Sequence, residues 1–176
     1  MTGVSTGAST SRRKVAMAEE EDDPPEGLEG LDAAAALGNL AMTWPLYELG
    51  LFGLFAQLLG AEPKKCQVIW FSLVSLDVRL RLMRQLASMP EVHDPKGILA
   101  ALGEAEKLSK QRNRLVHWVW DIDGPNISIM NLRYGQQERR KIKGKHVMAL
   151  REQVEEQCTV IAELGAAERA AKAAKA

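Results

Sequence analysis

The sequence predicts a mainly α-helical domain, an antiparallel bundle of four to five helices with a small β-hairpin or meander inserted before the last helix. Over four long stretches the apolar residues recur at steps of three and four, which is the spacing of one helix face. Between the third and fourth stretches they alternate around the turn-forming run Gly124-Pro125-Asn126, which indicates short strands. Such strands cannot form a core alone, so the helices are expected to provide it.

The first two helical stretches carry most of the expected core. The first is predicted from about Leu31 to Leu59, and Pro45 is expected to kink or restart it. The second is predicted from Lys64 to Met89, and apolar residues on two neighbouring faces predict that it is buried on two sides or lies in a dimer interface. One face contains Ile69, Leu73, Leu76, Leu80, Met83 and Ala87, and the other contains Trp70, Val74, Leu82 and Leu86.

The remaining elements have clear start signals. Asp94 followed by Pro95 is typical of a helix start, and the third helix is predicted from there to about Trp120. The alternating residues around the Gly-Pro-Asn turn predict a hairpin, with a third strand around 139–143. A last helix is predicted from about Lys145.

The chain divides into three segments by composition. Residues 1–27 are rich in Ser, Thr, Gly and acidic residues and are expected to form a disordered tail that does not contribute to stability. Residues 28–165 are predicted to form the helical domain around one hydrophobic core. Residues 166–176 are rich in Ala and Lys and are expected to extend the last helix or to form a tail.

Charge and cysteine content exclude several classes of protein. With 23 basic and 23 acidic residues there is no global field for nucleic acid or membrane, so such a partner would need a local patch. Cys66 and Cys158 stand alone, which predicts neither a disulfide framework nor a metal site and fits a cytoplasmic protein. No apolar run reaches the roughly 20 residues of a membrane-spanning helix, and we expect no cofactor.

The third helix carries three residues that could take part in RNA cleavage. Arg112 falls on its apolar stripe, and Asn113 and His117 lie one turn apart on a shared face that Arg112 borders. Histidine titrates near neutral pH and can exchange a proton with the 2′-hydroxyl or the leaving oxygen, whereas arginine can stabilise charge on the phosphate. A homodimer would bring two such histidines together.

The run Arg112-Asn113-Arg114-Leu115-Val116-His117 resembles the R-x4-6-H signature of HEPN domains, in the form where a polar residue follows the arginine. The resemblance implies a small helical bundle that dimerises through the motif helices. It also implies a metal-independent endoribonuclease in which Arg112 and His117 are catalytic and Asn113 assists. Such an enzyme could be a toxin or defence effector with an antitoxin partner. The alternative is a non-catalytic HEPN-like module that binds RNA or a protein.

A second feature is the basic stretch from Arg133 to Lys145, whose charge at a hairpin tip could hold RNA phosphates near His117 or which could be a solvated loop. The bare spacing from arginine to histidine also recurs there, from Arg139 or Arg140 to His146. A purely structural interpretation of the motif stays open, in which Arg112 pairs with Glu48 or Asp77 and His117 is a core histidine. The residues predicted to bind RNA are Arg114, Arg139, Arg140, Lys141 and Lys143.

Overall fold

The computed structural model describes residues 29–123, 126–131 and 138–175. The described chain is mainly helical, with a three-stranded antiparallel sheet before the last helix, which confirms the predicted fold class. The tail predicted over residues 1–27 and the turn residues Gly124 and Pro125 lie outside the described part. The elements are α1 (Glu29–Leu59), α2 (Pro63–Ser72), α3 (Leu76–Ala87), α4 (Pro95–His117), β1 (Val119–Asp123), β2 (Asn126–Asn131), β3 (Glu138–Lys141) and α5 (Gly144–Ala173).

Helix α1 runs unbroken through Pro45, so the predicted restart there is wrong. It ends at Gly60, whose φ of +63° favours glycine because it has no Cβ. The Gly60 N–H donates to Ala56 O at 3.0 Å. The apolar residues at helical spacing from Leu37 to Leu58 form the face of this helix that packs on the core. Leu37 is partly buried, and the others are buried: Leu40, Trp44, Tyr47, Leu51, Phe55 and Leu58.

The predicted second helix is two helices. Leu73 is extended, with φ −82° and ψ 115°, and α3 starts afresh after Ser75, whose hydroxyl accepts the Val78 N–H at 3.3 Å. This N-cap offers the backbone an alternative to a continuous helix. Val74, predicted to lie on a packed helix face, is therefore 98% exposed.

The three long helices are α1, α4 and α5, and they alternate in direction along the chain. Helices α1 and α5 are parallel, because Gly144 lies beside Ala33 and Gly50 lies beside Ile161. Helix α4 is antiparallel to α5, since the loop residue His93 before α4 contacts Glu168 near the end of α5. The C-terminal end of α4 and the first turns of α5 therefore meet at the end of the bundle that holds the sheet.

The start of α4 agrees with the sequence, because the Asp94 carboxylate accepts the Gly97 N–H at 2.9 Å and Pro95 opens the helix. The helix ends at His117 rather than Trp120, since β1 begins at Val119. Strand β2 lies between β1 and β3, and its Ile129 is buried against the helices. Within the described residues, no helix is long and apolar enough to cross a membrane.

Candidate functional site

Arg112 is held by contacts on both sides of its guanidinium. Its Cζ atom lies 5.6 Å from the centroid of the Trp44 ring on α1, and one N–H group donates to Asn113 Oδ1 at 3.2 Å. Its Nε is buried without a hydrogen-bond partner among the described residues. The side chain is half-buried, so stacking on the indole face replaces part of its lost hydration.

In the purely structural interpretation of the motif, Arg112 would form an ion pair with Glu48 or Asp77, but both carboxylates have other partners. Glu48 accepts hydrogen bonds from Trp44 Nε1 at 2.8 Å and from Arg79 at 3.4 Å. Asp77 pairs with Arg81 at 2.9 Å on the surface of α3. Within the described chain, neither carboxylate pairs with Arg112, so neither ion pair of the structural interpretation is present.

His117 is the last residue of α4, and it is exposed. Its ring makes no hydrogen bond to any part of the chain that the structure describes, so it is not the satisfied core histidine of the structural interpretation. Asn113 is also exposed, one turn earlier on the same helix. The imidazole at the end of α4 is therefore accessible to a ligand.

The three motif residues do not converge on one point within a single chain. Five helical steps rotate His117 by about 140° from Arg112, and Arg112 packs toward Trp44 on α1 while His117 faces solvent. Asn113 links the two, because it lies within about 40° of the His117 direction and accepts from Arg112. An exposed imidazole beside a polar amide is therefore the accessible part of the motif.

A basic pocket lies between α4, the sheet and the start of α5. Its volume is about 230 Å³. Of the residues predicted to bind RNA, Arg114, Arg140 and Lys141 line it, and all three are exposed. The other lining residues are Gln111, Leu115, Ile129, Ile142, His146 and Leu150.

Arg140 and His146, two of the polar residues that line the pocket, are each held by a neighbouring group. Arg140 Cζ lies 5.9 Å from the Trp118 ring centroid, so an aromatic face supports this guanidinium. His146 Nδ1 accepts the Lys143 N–H at 3.4 Å at the start of α5. In neutral His146 this bond places the proton on Nε2, which can then donate to a ligand.

The remaining predicted RNA-binding residues, Arg139 and Lys143, are not among the residues that line this pocket. Lys143 is exposed directly before α5. Arg139 belongs to β3, where it pairs with Met130 of β2, and its side chain lies outside the described residues. Trp118 is partly buried, and Arg140 lies over its ring.

Sequence reasoning missed His146 and Gln111 as candidate ligand contacts. The only signal for His146 was its spacing from Arg140, which by itself is too common to identify a site. Across the described residues, His, Cys, Asp and Glu form no group of three or more that could hold a metal ion. Cys66 is buried and Cys158 is partly buried, and burial raises the pKa of the Cys158 thiol.

A scan against protein-family models found no matching family, and searches of curated proteins and of solved structures found no significant match.

Proposed function

We propose that this protein is a metal-independent endoribonuclease of the HEPN type. The observation that carries the proposal is the exposed imidazole of His117, one helical turn from an Asn113 amide that Arg112 holds by a hydrogen bond. A ribonuclease of this kind needs an accessible proton-transfer group beside donors to a phosphate. The exposed His117 ring would be that proton-transfer group, and the Asn113 amide would be the donor.

The chemistry follows from these groups. His117 takes the proton of the 2′-hydroxyl, and the 2′-oxygen then attacks the adjacent phosphorus. The bond from phosphorus to the 5′-oxygen breaks, which leaves a 2′,3′-cyclic phosphate on one product and a 5′-hydroxyl on the other once the leaving oxygen has received a proton from the protonated His117 of a second copy of the chain. Asn113 donates to a phosphate oxygen as its charge builds up, and Arg112 positions Asn113 through the hydrogen bond to its Oδ1.

The proposed active form is a homodimer, because one motif histidine per chain cannot act as base and acid in the same step. Large apolar side chains remain exposed on the predicted second helix: Val68 is 68%, Phe71 is 72% and Val74 is 98% exposed. Val116, next to His117, is 39% exposed. Exposed apolar groups of this size are typical of an interaction surface, and a second copy would cover them.

The nuclease proposal is tested by incubating the purified protein with a single-stranded RNA in EDTA. We expect cleavage to persist and the upstream products to end in 2′,3′-cyclic phosphate. The matched substrate carries a single 2′-deoxy nucleotide at the mapped cleavage site, and it should resist cleavage at that bond. Cleavage that needs added Mg²⁺, or that proceeds at the deoxy position, would contradict the mechanism.

The dimer is tested by sedimentation at tens of micromolar protein. We expect wild type to sediment as a dimer and Phe71→Glu to sediment as a monomer with reduced cleavage. Glu163→Lys, a charge reversal at an exposed position of α5, is the control and should remain dimeric. A wild-type monomer would contradict this part of the proposal.

A second candidate is a module that binds RNA without cleaving it. It is favoured by the rotation of about 140° between Arg112 and His117 and by the cationic residues that line the pocket beside α4. The two candidates differ in the EDTA experiment, because the binding module would retain RNA and leave it intact.

A further inference from the structure

We infer that Glu48 is a positioning residue for the RNA-cleavage motif on α4, because it orients the Trp44 ring on which Arg112 lies. Arg112 in turn holds the Asn113 amide. Glu48 acts through these neighbours and does not itself contact the RNA. The catalytic part of this inference rests on the proposed function, whereas the control of Arg112 by Glu48 can be measured without it.

The Arg112 guanidinium depends on the Trp44 ring for its position. Its Cζ atom lies 5.6 Å from the ring centroid, and its Nε is buried without a hydrogen-bond partner among the described residues. The hydrogen bond to Asn113 joins sequence neighbours, so it does not tie the side chain to another helix. Within the described chain, the aromatic face is therefore the contact that fixes this guanidinium against α1.

The Trp44 ring has a polar edge that needs an acceptor. The residue is only 4% exposed, and its Nε1–H donates to Glu48 Oε1 at 2.8 Å, one turn further along α1. An indole N–H that loses its acceptor in a buried position is unfavourable, so the ring would turn toward another acceptor. The carboxylate also strengthens the stacking on Arg112, because a hydrogen bond to a negative group polarises the ring and makes its face more negative.

Glu48 is itself held from a second helix. Arg79 of α3 donates to Glu48 Oε2 at 3.4 Å, and the arginine side chain is 14% exposed. Arg79 Nε donates to the Trp70 carbonyl at 3.2 Å, and its Cζ lies 4.9 Å from the Trp70 ring centroid. The two oxygens of Glu48 therefore have separate partners, and a chain of contacts runs from α3 through α1 to the motif on α4.

This chain of contacts determines the orientation of the Asn113 amide. Because Arg112 donates to Oδ1, the amide nitrogen is left to donate to a phosphate oxygen. A guanidinium that moves off the Trp44 ring releases Oδ1, and the amide can then rotate. The contact from Asn113 strengthens as charge builds on the phosphate, so loss of Glu48 should lower kcat and leave KM little changed.

The first test is a double-variant cycle of RNA cleavage in EDTA, at a temperature where circular dichroism shows each variant folded. We expect Glu48→Ala to lower kcat by about fivefold and to change KM by less than about twofold. In an Arg112→Ala background, the same change should lower kcat by less than about twofold, because no guanidinium is left to orient. A loss of stability alone would act equally in both backgrounds.

Two matched variants separate the hydrogen bond from other effects. Glu48→Gln keeps an oxygen for the Trp44 N–H and should retain most of the wild-type kcat. Glu163→Ala removes a carboxylate from an exposed position of α5 and should leave kcat unchanged. A loss in Glu48→Gln as large as that in Glu48→Ala would overturn the inference.

The second test measures Arg112 directly and does not need catalysis. In NMR spectra of the full-length protein, the Arg112 Nε–H signal is assigned by its loss in Arg112→Lys. We expect a high heteronuclear NOE for this signal in wild type and in Glu48→Gln, and a low one in Glu48→Ala. An Arg112 side chain that stays equally rigid in Glu48→Ala, or an equal loss of kcat in both backgrounds of the cycle, would overturn the inference.

The inference and the proposed function fail separately. If the wild type cleaves RNA and Glu48→Ala cleaves it equally fast, the inference is overturned and the nuclease stands. If the wild type cleaves no RNA and Arg112 becomes mobile in Glu48→Ala, the control of Arg112 by Glu48 is supported and the nuclease is contradicted, together with the catalytic part of the inference.

Discussion

The guanidinium of Arg112 lies over the indole ring of Trp44, with Cζ 5.6 Å from the ring centroid. A charge on the apolar stripe of a helix requires compensation, and here an aromatic face supplies it instead of a carboxylate. The contact fixes the RNA-cleavage motif of α4 against α1 and leaves the His117 end of the motif open to solvent.

This contact predicts different effects of the two motif substitutions on stability. Arg112→Ala removes the stacking on Trp44 and the packing of the arginine stem, and it should lower the free energy of unfolding by about 1–2 kcal/mol. His117→Ala removes an exposed ring and should change it by less than about 0.5 kcal/mol. Urea denaturation measures both values, and an equal loss in the two variants would contradict the assigned environments.

The Glu168 carboxylate ties the end of α5 to the loop before α4, and we expect this contact to stabilise the fold. This carboxylate is only 1% exposed, and it accepts the His93 N–H at 2.9 Å with Lys172 Nζ at 3.7 Å. Glu168→Ala leaves the part-buried His93 N–H without its acceptor, so we expect a loss of about 1–3 kcal/mol in thermal or urea unfolding. Glu163→Ala, at an exposed position of the same helix, is the control, and an equally small effect in both variants would refute the role.

The environment of Glu106 should make the free energy of unfolding depend on pH. Hydrogen bonds from Lys110 and then Arg84 hold the pKa of this carboxyl below its ordinary value. Its stabilising contribution is therefore complete above the unfolded pKa, about 4.3, and is lost as pH falls through the folded value. Glu106→Gln should be less stable than wild type at pH 7, and the difference should shrink toward pH 3. Urea titrations at both pH values test this, and a difference that grows with acidification would contradict it.

The basic residues of β3 should control the salt dependence of RNA binding. Replacing Arg139, Arg140 and Lys141 with Gln removes up to three phosphate contacts, so the slope of log K against log salt should become shallower by about 2 for single-stranded RNA. Replacing Lys64, Lys65 and Arg81 with Gln is the charge-matched control. Filter binding at several salt concentrations measures the slope, and an unchanged slope would assign the β3 residues to a solvated surface.

The helices could be predicted from the sequence because apolar spacing determines which faces are buried. The stripe from Leu40 to Leu58 and the cap at Asp94 are found as expected. The break at residues 73–75 could not be predicted from spacing, since the apolar period continues across it. The competing signal was Ser75, whose hydroxyl caps a new helix and leaves Val74 in solvent.

The candidate site could be predicted only in part. The sequence identifies the exposed pair Asn113 and His117, because residues four apart share a helix face. It does not identify Trp44 as the support of Arg112, since the two residues are 68 positions apart in the chain and only the packing of α1 on α4 joins them. His146 reaches the basic pocket for the same reason, through the contact between α4 and α5.

The most direct test of the proposed function is the RNA cleavage rate of His117→Ala in EDTA, compared with that of His93→Ala. His93 is an exposed histidine in the loop before α4, at the opposite end of that helix. We expect His117→Ala to lose a factor on the order of 10²–10⁴, the usual effect of removing one proton-transfer group, and His93→Ala to retain the wild-type rate. Full activity in His117→Ala, or no cleavage by wild type, would contradict the ribonuclease proposal.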